Sequence, residues 1–251
     1  MVLKHYGVEA LKKFRVELSK FIMPYKFAID EVNTKINILR EEFTYLHDYN
    51  PIEHVSSRLK TIESIIKKIQ RKNIDLSLDA VKQEIRDIAG VRVTCSFRSD
   101  IYKIQKMLET QEDIKVLEIK DYFKHPKPNG YRSLHMIIEI PIFLSDRVEN
   151  IPVEIQIRTI AMDFWASLEH KIFYKYNKDI PQRIVDELKE TATIATELDI
   201  KMEQLNEEIN VYKQKHKQEE EYYSLNFDDE QVKLPITFLE KLKKQTLGEL
   251  S

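Results

Sequence analysis

The chain has 251 residues, long enough for one generous domain or two small ones with a real core. Forty Lys and Arg stand against 42 Asp and Glu, a formal charge of −2, which argues against a general nucleic-acid binder. Cys95 is the only cysteine, so an internal disulfide is excluded, and no apolar run suits a secretory leader or a membrane span. The expectation is a soluble cytoplasmic protein. In chain order, 8–21 reads as helical, and Tyr25–Asp48 as a long helix opened by Pro24 and closed before Pro51. Ile29, Val32, Ile36, Leu39, Phe43 and Leu46 form its apolar stripe. Val55–Arg71 is predicted as a further helix, with Val55, Leu59, Ile62, Ile66 and Ile69 on one face. The period then changes: Val91, Val93, Cys95 and Phe97 alternate with Arg92, Thr94 and Ser96, as in a half-buried strand. A helix over 99–109 and a strand over 114–119 follow. Ser133–Ile140 alternates again, with Leu134, Met136, Ile138 and Ile140 on one face. Val153–Thr159 turns Val153, Ile155 and Ile157 inward and Glu154, Gln156 and Arg158 outward. A helix over 160–176 carries the only tryptophan, Trp165, and Gln182–Lys215 keeps a heptad step from Ile184 to Tyr212. His216–Gln231 is acidic and poor in aliphatics, which reads as linker or tail.

Helices, a compact strand region, then helices again predict one α+β domain: a mixed sheet with helical flanks and long helices at both ends. Its parts are an N-terminal helical region over 1–50, a core over 51–181, a long helix over 182–215 and an acidic linker and tail over 216–251.

Four polar clusters stand out. Lys60, Ser64, Lys67 and Arg71 share a predicted helical face, flanked by Arg58 and Lys68; cations plus a hydroxyl suit a polyphosphate, or simply a solvated basic face. In "RDIAGVR", Asp87 precedes a strand, Gly90 allows a close turn, and Arg92 opens the polar face; Asp87 also suits a turn or cap. Glu154, Gln156 and Arg158 share a strand face, and a carboxylate there needs a partner or solvent. In "PKPNGYRSLH", Lys127 offers a cation, Gly130 an unusual backbone angle and Tyr131 a flat ring, with His135 beyond; a plain loop into a half-exposed strand also fits. If the strands share a sheet, these faces converge. Two carboxylates, Asp87 and Glu154, could then hold Mg²⁺ and activate a hydroxyl while cations hold phosphates. That is a phosphoryl-transfer site without a P-loop, since no G-x-x-x-x-G-K-[ST] occurs.

Four strings, R-L-K-x₃-S-I-x-x-K, R-D-I-A-G-V-R, K-D-Y-x₃-P-K-P-N-G-Y-R-S-L-H and V-E-I-Q-I-R-T, resemble the synthetase domain of RelA/SpoT-type enzymes in order and spacing over about 50–176. The absence of regulatory modules resembles the small alarmone synthetases, and the N-terminal extension their RelP (YwaC-like) branch. The resemblance implies a nucleotidyltransferase-like sheet and transfer of pyrophosphate from ATP to the ribose 3′-OH of GDP or GTP, giving ppGpp or pppGpp and AMP. It implies Mg²⁺ at Asp87, and Glu154 as metal ligand and base. Arg58 and Arg92 would flank the adenine. Lys60, Ser64, Lys68 and Arg71 would grip ATP phosphates. Tyr131 would stack the guanine, Lys127 and His135 would meet the acceptor's phosphates, and Gln156 its sugar or base. It further implies a bacterial homotetramer. "HD" occurs only at His47–Asp48, so no hydrolase is expected. Three alternatives remain beside this reading: a pyrophosphokinase using ATP or the tRNA 3′ end as acceptor, a non-catalytic nucleotide or RNA sensor, and an RNA contact by the enzyme itself.

Overall fold

The computed structural model describes residues 8–47, 49–75, 77–174, 180–216, 222–227, 230–239, 241 and 243. Five strands form one mixed sheet: β1 (Ile52–Leu59), β2 (Ala89–Cys95), β3 (Lys115–Asp121), β4 (Leu134–Phe143) and β5 (Val148–Thr159), in the order β1-β2-β5-β4-β3. Only β2 and β5 run parallel; the other neighbours are antiparallel. Alternation is why these segments are strands. Val91, Val93, Ile155, Ile157, Leu134, Met136 and Ile138 are all buried on one face. That face is covered by α1 (Val8–Leu46) and by Ile101, Ile104 and Leu108 of α4 (Arg98–Glu109).

Two sequence-based expectations are corrected at the N-terminal end. Pro24 does not start a helix: α1 is one 39-residue helix with Pro24 inside it. A proline costs one backbone hydrogen bond, and buried Phe21, Tyr25 and Ile29 on both sides of it anchor the two halves to the same core. Asp48, the predicted end, lies outside the described residues. The Val55–Arg71 helix is in fact strand β1 followed by α2 (Ile62–Lys72). Val55, Ser56 and Ser57 are weak helix formers, and β1 finds backbone partners along β2. Thr61 caps α2, its Oγ1 accepting the Ser64 N–H at 3.3 Å. The buried positions of α2 are Ile65 and Ile69, whereas Ile62 and Ile66 are 45% and 44% exposed.

A short helix, α3 (Leu78–Glu84), precedes β2. Phe97 caps α4 instead of ending β2. α5 (Ile160–Tyr174) follows β5 directly, and the last two positions of the predicted 160–176 helix lie outside the described residues. α6 (Gln182–His216) is the long C-terminal helix. The acidic linker expected after it contains a hairpin, β6 (Tyr222–Phe227) paired antiparallel with β7 (Glu230–Pro235). Apolar alternation in "YYSLNF" and "EQVKLP" supports strands despite the charged composition. The rest of the tail, 217–221, 228–229, 240, 242 and 244–251, lies outside the described residues. No helix among the described residues is long and apolar enough to cross a membrane.

Candidate functional site

The face of the sheet opposite α1 carries two polar rows. Strand register aligns Arg58, Gly90, Glu154, Ile137 and Glu118 in one, and Ser56, Arg92, Gln156, His135 and Lys120 in the next. Three adjoining clefts lie over them. One of about 210 Å³ is lined by Arg58, Gly90, Arg92, Glu154 and Gln156 among others. A second, about 280 Å³, brings in Asp87, Lys120, Tyr122, Lys127 and His135. A third, about 540 Å³, extends past Tyr131 and Arg158 to Glu169 and Lys171 on α5. Gly90 lies within β2, not in a turn, and a Cβ there would meet Arg58 only at an ordinary 3.6 Å.

Asp87 sits in the turn before β2. Its Oδ2 accepts from Lys60 Nζ at 2.6 Å and Lys68 Nζ at 2.7 Å, while its buried Oδ1 has no partner. Burial pushes the carboxyl's pKa up, but the two ammoniums outweigh it and hold it below the usual range. Lys68, not Lys67, faces the site; Lys67 pairs with Glu63 at 2.7 Å. Ser64 and Arg71 lie one turn either side of Lys68 on α2 and line none of these clefts.

Glu154 belongs to a closed ring of hydrogen bonds. Its Oε1 meets His135 Nδ1 at 3.2 Å and its Oε2 accepts from Gln156 Nε2 at 2.8 Å. Gln156 Oε1 accepts from Arg158 Nη2 at 2.6 Å, and Arg158 Nε donates to Tyr131 Oη at 2.9 Å. Tyr131 Oη closes the ring on His135 Nε2 at 3.0 Å. Burial raises the Glu154 pKa, but these partners outweigh it and leave it low. Burial holds the His135 pKa below its ordinary value against the pull of Glu154. Asp163 Oδ1 ties Arg158 and Arg92 together, each at 3.1 Å.

Two expectations about the acceptor side change here. His135 spends both ring nitrogens inside the ring, so it orients Glu154 and Tyr131 rather than standing free for phosphate. Tyr131 is no open platform: it is 7% exposed, packed with Met162, Trp165 and Ala192. Lys127 Nζ lies 4.8 Å from its ring centroid and 4.7 Å from that of Tyr122. Gly130 has φ +86°, and a Cβ there would come within 2.7 Å of the Ala192 Cβ on α6. The turn and the close approach of α6 both require glycine.

Alternation put Arg158 on the face of Glu154 without giving it a role, which the hydrogen bonds to Gln156 and Tyr131 now supply. Asp163 was not singled out by the sequence, because it reaches this network only through the β5–α5 junction. Among the described residues no group of three or more His, Cys, Asp or Glu could hold a metal ion unaided. The unpartnered Asp87 Oδ1, with Glu154 in the same cleft, nevertheless suits Mg²⁺, which takes one or two carboxylates together with substrate phosphates.

Residues 57–179 match the family described as the region found in RelA / SpoT proteins. The chain is 50% identical over 203 residues to the GTP pyrophosphokinase YwaC of Bacillus subtilis, covering 81% of this chain and 97% of that protein. It is 36% identical over 190 residues to the GTP pyrophosphokinase YjbM of the same organism, covering 76% and 89%. The small alarmone synthetase 2 structure from B. subtilis superposes with a TM-score of 0.70 at 51% identity, covering 76% of this chain and 99% of that one. The small alarmone synthetase 1 structure bound to its product pppGpp superposes at 0.72 with 35% identity, covering 77% and 98%.

Proposed function

The chain belongs to the RelA/SpoT-type family, among its small alarmone synthetases, and from that premise we propose how its site makes (p)ppGpp. The observation that carries the reading is the shared cleft of Asp87 and Glu154, opening on one side to Arg58 and Arg92 and on the other to Tyr131. ATP lies on the first side, its adenine between the guanidinium planes of Arg58 and Arg92. Lys60 and Lys68 exchange Asp87 for the phosphates, with Ser64 and Arg71 further along α2. Mg²⁺ held by Asp87 and Glu154 would offset charge on the transferred phosphates.

The acceptor, GDP or GTP, takes the second side. Its guanine displaces the Lys127 ammonium from Tyr131, and Lys127 turns to the acceptor's phosphates. Gln156 meets the sugar. The ribose 3′-oxygen attacks the β-phosphorus in line. A new O3′–Pβ bond forms, the bond from Pβ to the α,β-bridging oxygen breaks, and AMP leaves with that oxygen. Glu154 takes the hydroxyl proton, aimed by His135 and Gln156. Because the ring is assembled before substrate arrives, little reorganisation is left to the chemical step.

We further propose that the protein works in the bacterial cytoplasm as a homotetramer. The outer stripe of α6 is exposed at Ile194, Leu198, Met202, Leu205 and Ile209. A groove of about 810 Å³ between α5 and α6 adds Phe164, Leu168 and Ile172. Symmetric contacts between copies would cover both. Labelled ATP incubated with GDP, GTP, unlabelled ATP or uncharged tRNA tests the reaction. The reading expects terminal label in guanosine tetra- or pentaphosphate, with one AMP per product. Label in an ATP- or tRNA-derived product instead, or in no acceptor, would overturn it.

A further inference from the structure

The proposed reaction needs ATP and the acceptor in place together, yet they take opposite sides of the cleft. We propose that Asp163 of α5 is a positioning residue that links the two sides. Its Oδ1 holds Arg92, against which the adenine lies, and Arg158, which fixes Tyr131 and Gln156, so that filling either side favours binding at the other. The proposal rests on the pyrophosphokinase reading.

β2 and β5 run side by side and parallel, with Arg92 opposite Gln156, so Arg92 and Arg158 rise from one sheet face. α5 follows β5 directly and carries Asp163 in its first turn. There a single carboxylate oxygen meets both guanidiniums at 3.1 Å.

The two arginines differ in what else holds them. Arg158 also donates through Nε to Tyr131 and through Nη2 to Gln156, and its side chain is only 8% exposed. Arg92 has Asp163 as its ion-pair partner, while its Nε is buried without a hydrogen-bond partner and its side chain is 32% exposed. Burial and the neighbouring Arg158 charge push the Arg92 pKa down, and Asp163 opposes them. The carboxylate is thus what keeps two like charges side by side. Adenine stacked on Arg92 would exclude water from the Arg92–Asp163 pair and strengthen it. A carboxylate fixed on Arg92 presents a fixed acceptor to Arg158 Nη1, and the network around Tyr131 is then ordered before the acceptor arrives. The reverse holds when the acceptor comes first, since coupling between two sites is reciprocal.

Calorimetric titration with GDP and with α,β-methylene ATP, whose methylene bridge blocks transfer, tests this at saturating Mg²⁺. The wild type should bind the analogue about 10-fold tighter with GDP present, and GDP tighter by the same factor with the analogue present. Asp163→Ala should bring both factors to within about twofold of unity while melting stays cooperative. Asp163→Asn keeps an acceptor oxygen without the charge, should leave a factor of about threefold, and decides the matter if the alanine variant does not fold. In an Arg92→Ala background, Asp163→Ala should weaken the analogue by less than about twofold, against about 10-fold alone, because Asp163 acts on ATP through Arg92. A wild type without coupling, or a folded Asp163 variant with the wild-type factor, would overturn the role. A residue that only supports the fold would lower melting and both affinities but leave that factor intact. Failure of the pyrophosphokinase reading would look different: the wild type would form no labelled guanosine product, whatever the coupling.

Discussion

Asp87 and Glu154 share one cleft, yet they are held in opposite ways. Asp87 is clasped by two ammoniums, Lys60 and Lys68, and keeps one oxygen unpartnered. Glu154 is fixed by His135 and Gln156, in a closed ring of hydrogen bonds that Arg158 and Tyr131 complete. Ammoniums on flexible stems can turn to phosphates when ATP arrives, freeing Asp87 for a cation. A ring of hydrogen bonds cannot open without leaving buried groups unpaired, so Glu154 keeps its aim. The first carboxylate is arranged to exchange partners and the second to hold a direction.

The largest effects should come from neutralising each carboxylate. Glu154→Gln and Asp87→Asn should each lower kcat by about 10²–10⁴-fold while thermal melting shows a folded protein. Near-normal turnover by either variant would break the comparison at that residue. Tyr131 tests the ring itself. Tyr131→Phe removes the hydroxyl that serves both His135 and Arg158, so it should cost about 1–3 kcal/mol of stability and lower kcat with it. Tyr131→Ala also leaves a cavity against Trp165 and Met162, and should cost about 3–5 kcal/mol and weaken the acceptor more than ATP. Full activity in Tyr131→Phe would show that the ring does not aim Glu154.

A third carboxylate sharpens the contrast. Asp199 on α6 accepts from Thr159 Oγ1 at 2.5 Å, and burial pushes its pKa up to about 6, against Arg98. A raised pKa means that the fold favours the protonated form, so this group's contribution is present below about pH 4 and lost as pH rises through about 6. Asp87, Glu154 and His135 have lowered values, so their contributions are lost as pH falls. Asp199→Asn should therefore raise Tm at pH 8 and change it little at pH 4. A gain confined to low pH would contradict the sign. The smallest effect on the site should come from Leu198→Glu with Leu205→Glu. Light scattering should show a smaller species than wild type with melting largely retained; an unchanged mass would remove α6 from the interface.

Much of the site was legible because alternation reports which side chains share a sheet face. Glu154 and Gln156 follow from Val153, Ile155 and Ile157, and His135 from Leu134 and Met136. β1 was misread because an edge strand with "HVSSRL" lacks clean alternation, while Val55, Leu59 and Ile62 happen to fall at helical spacing. Tyr131 looked exposed because its cover, Ala192, lies 61 positions away on α6, and no local pattern reports that contact. The two long helices looked alike for the same reason. Ile29, Val32, Ile36 and Leu39 of α1 are buried on the sheet, whereas Leu198 of α6 remains 53% exposed. A stripe shows that a face needs covering but not what covers it.

The division of labour between the two carboxylates is tested most directly by single-turnover transfer alongside ATP binding at saturating Mg²⁺ and GDP. Glu154→Gln should bind ATP within about threefold of wild type yet transfer no pyrophosphate on the wild-type timescale, whereas Asp87→Asn should lose both the Mg²⁺ dependence of ATP binding and the transfer. Transfer by Glu154→Gln at the wild-type rate, or Mg²⁺-dependent ATP binding that survives in Asp87→Asn, would contradict the account.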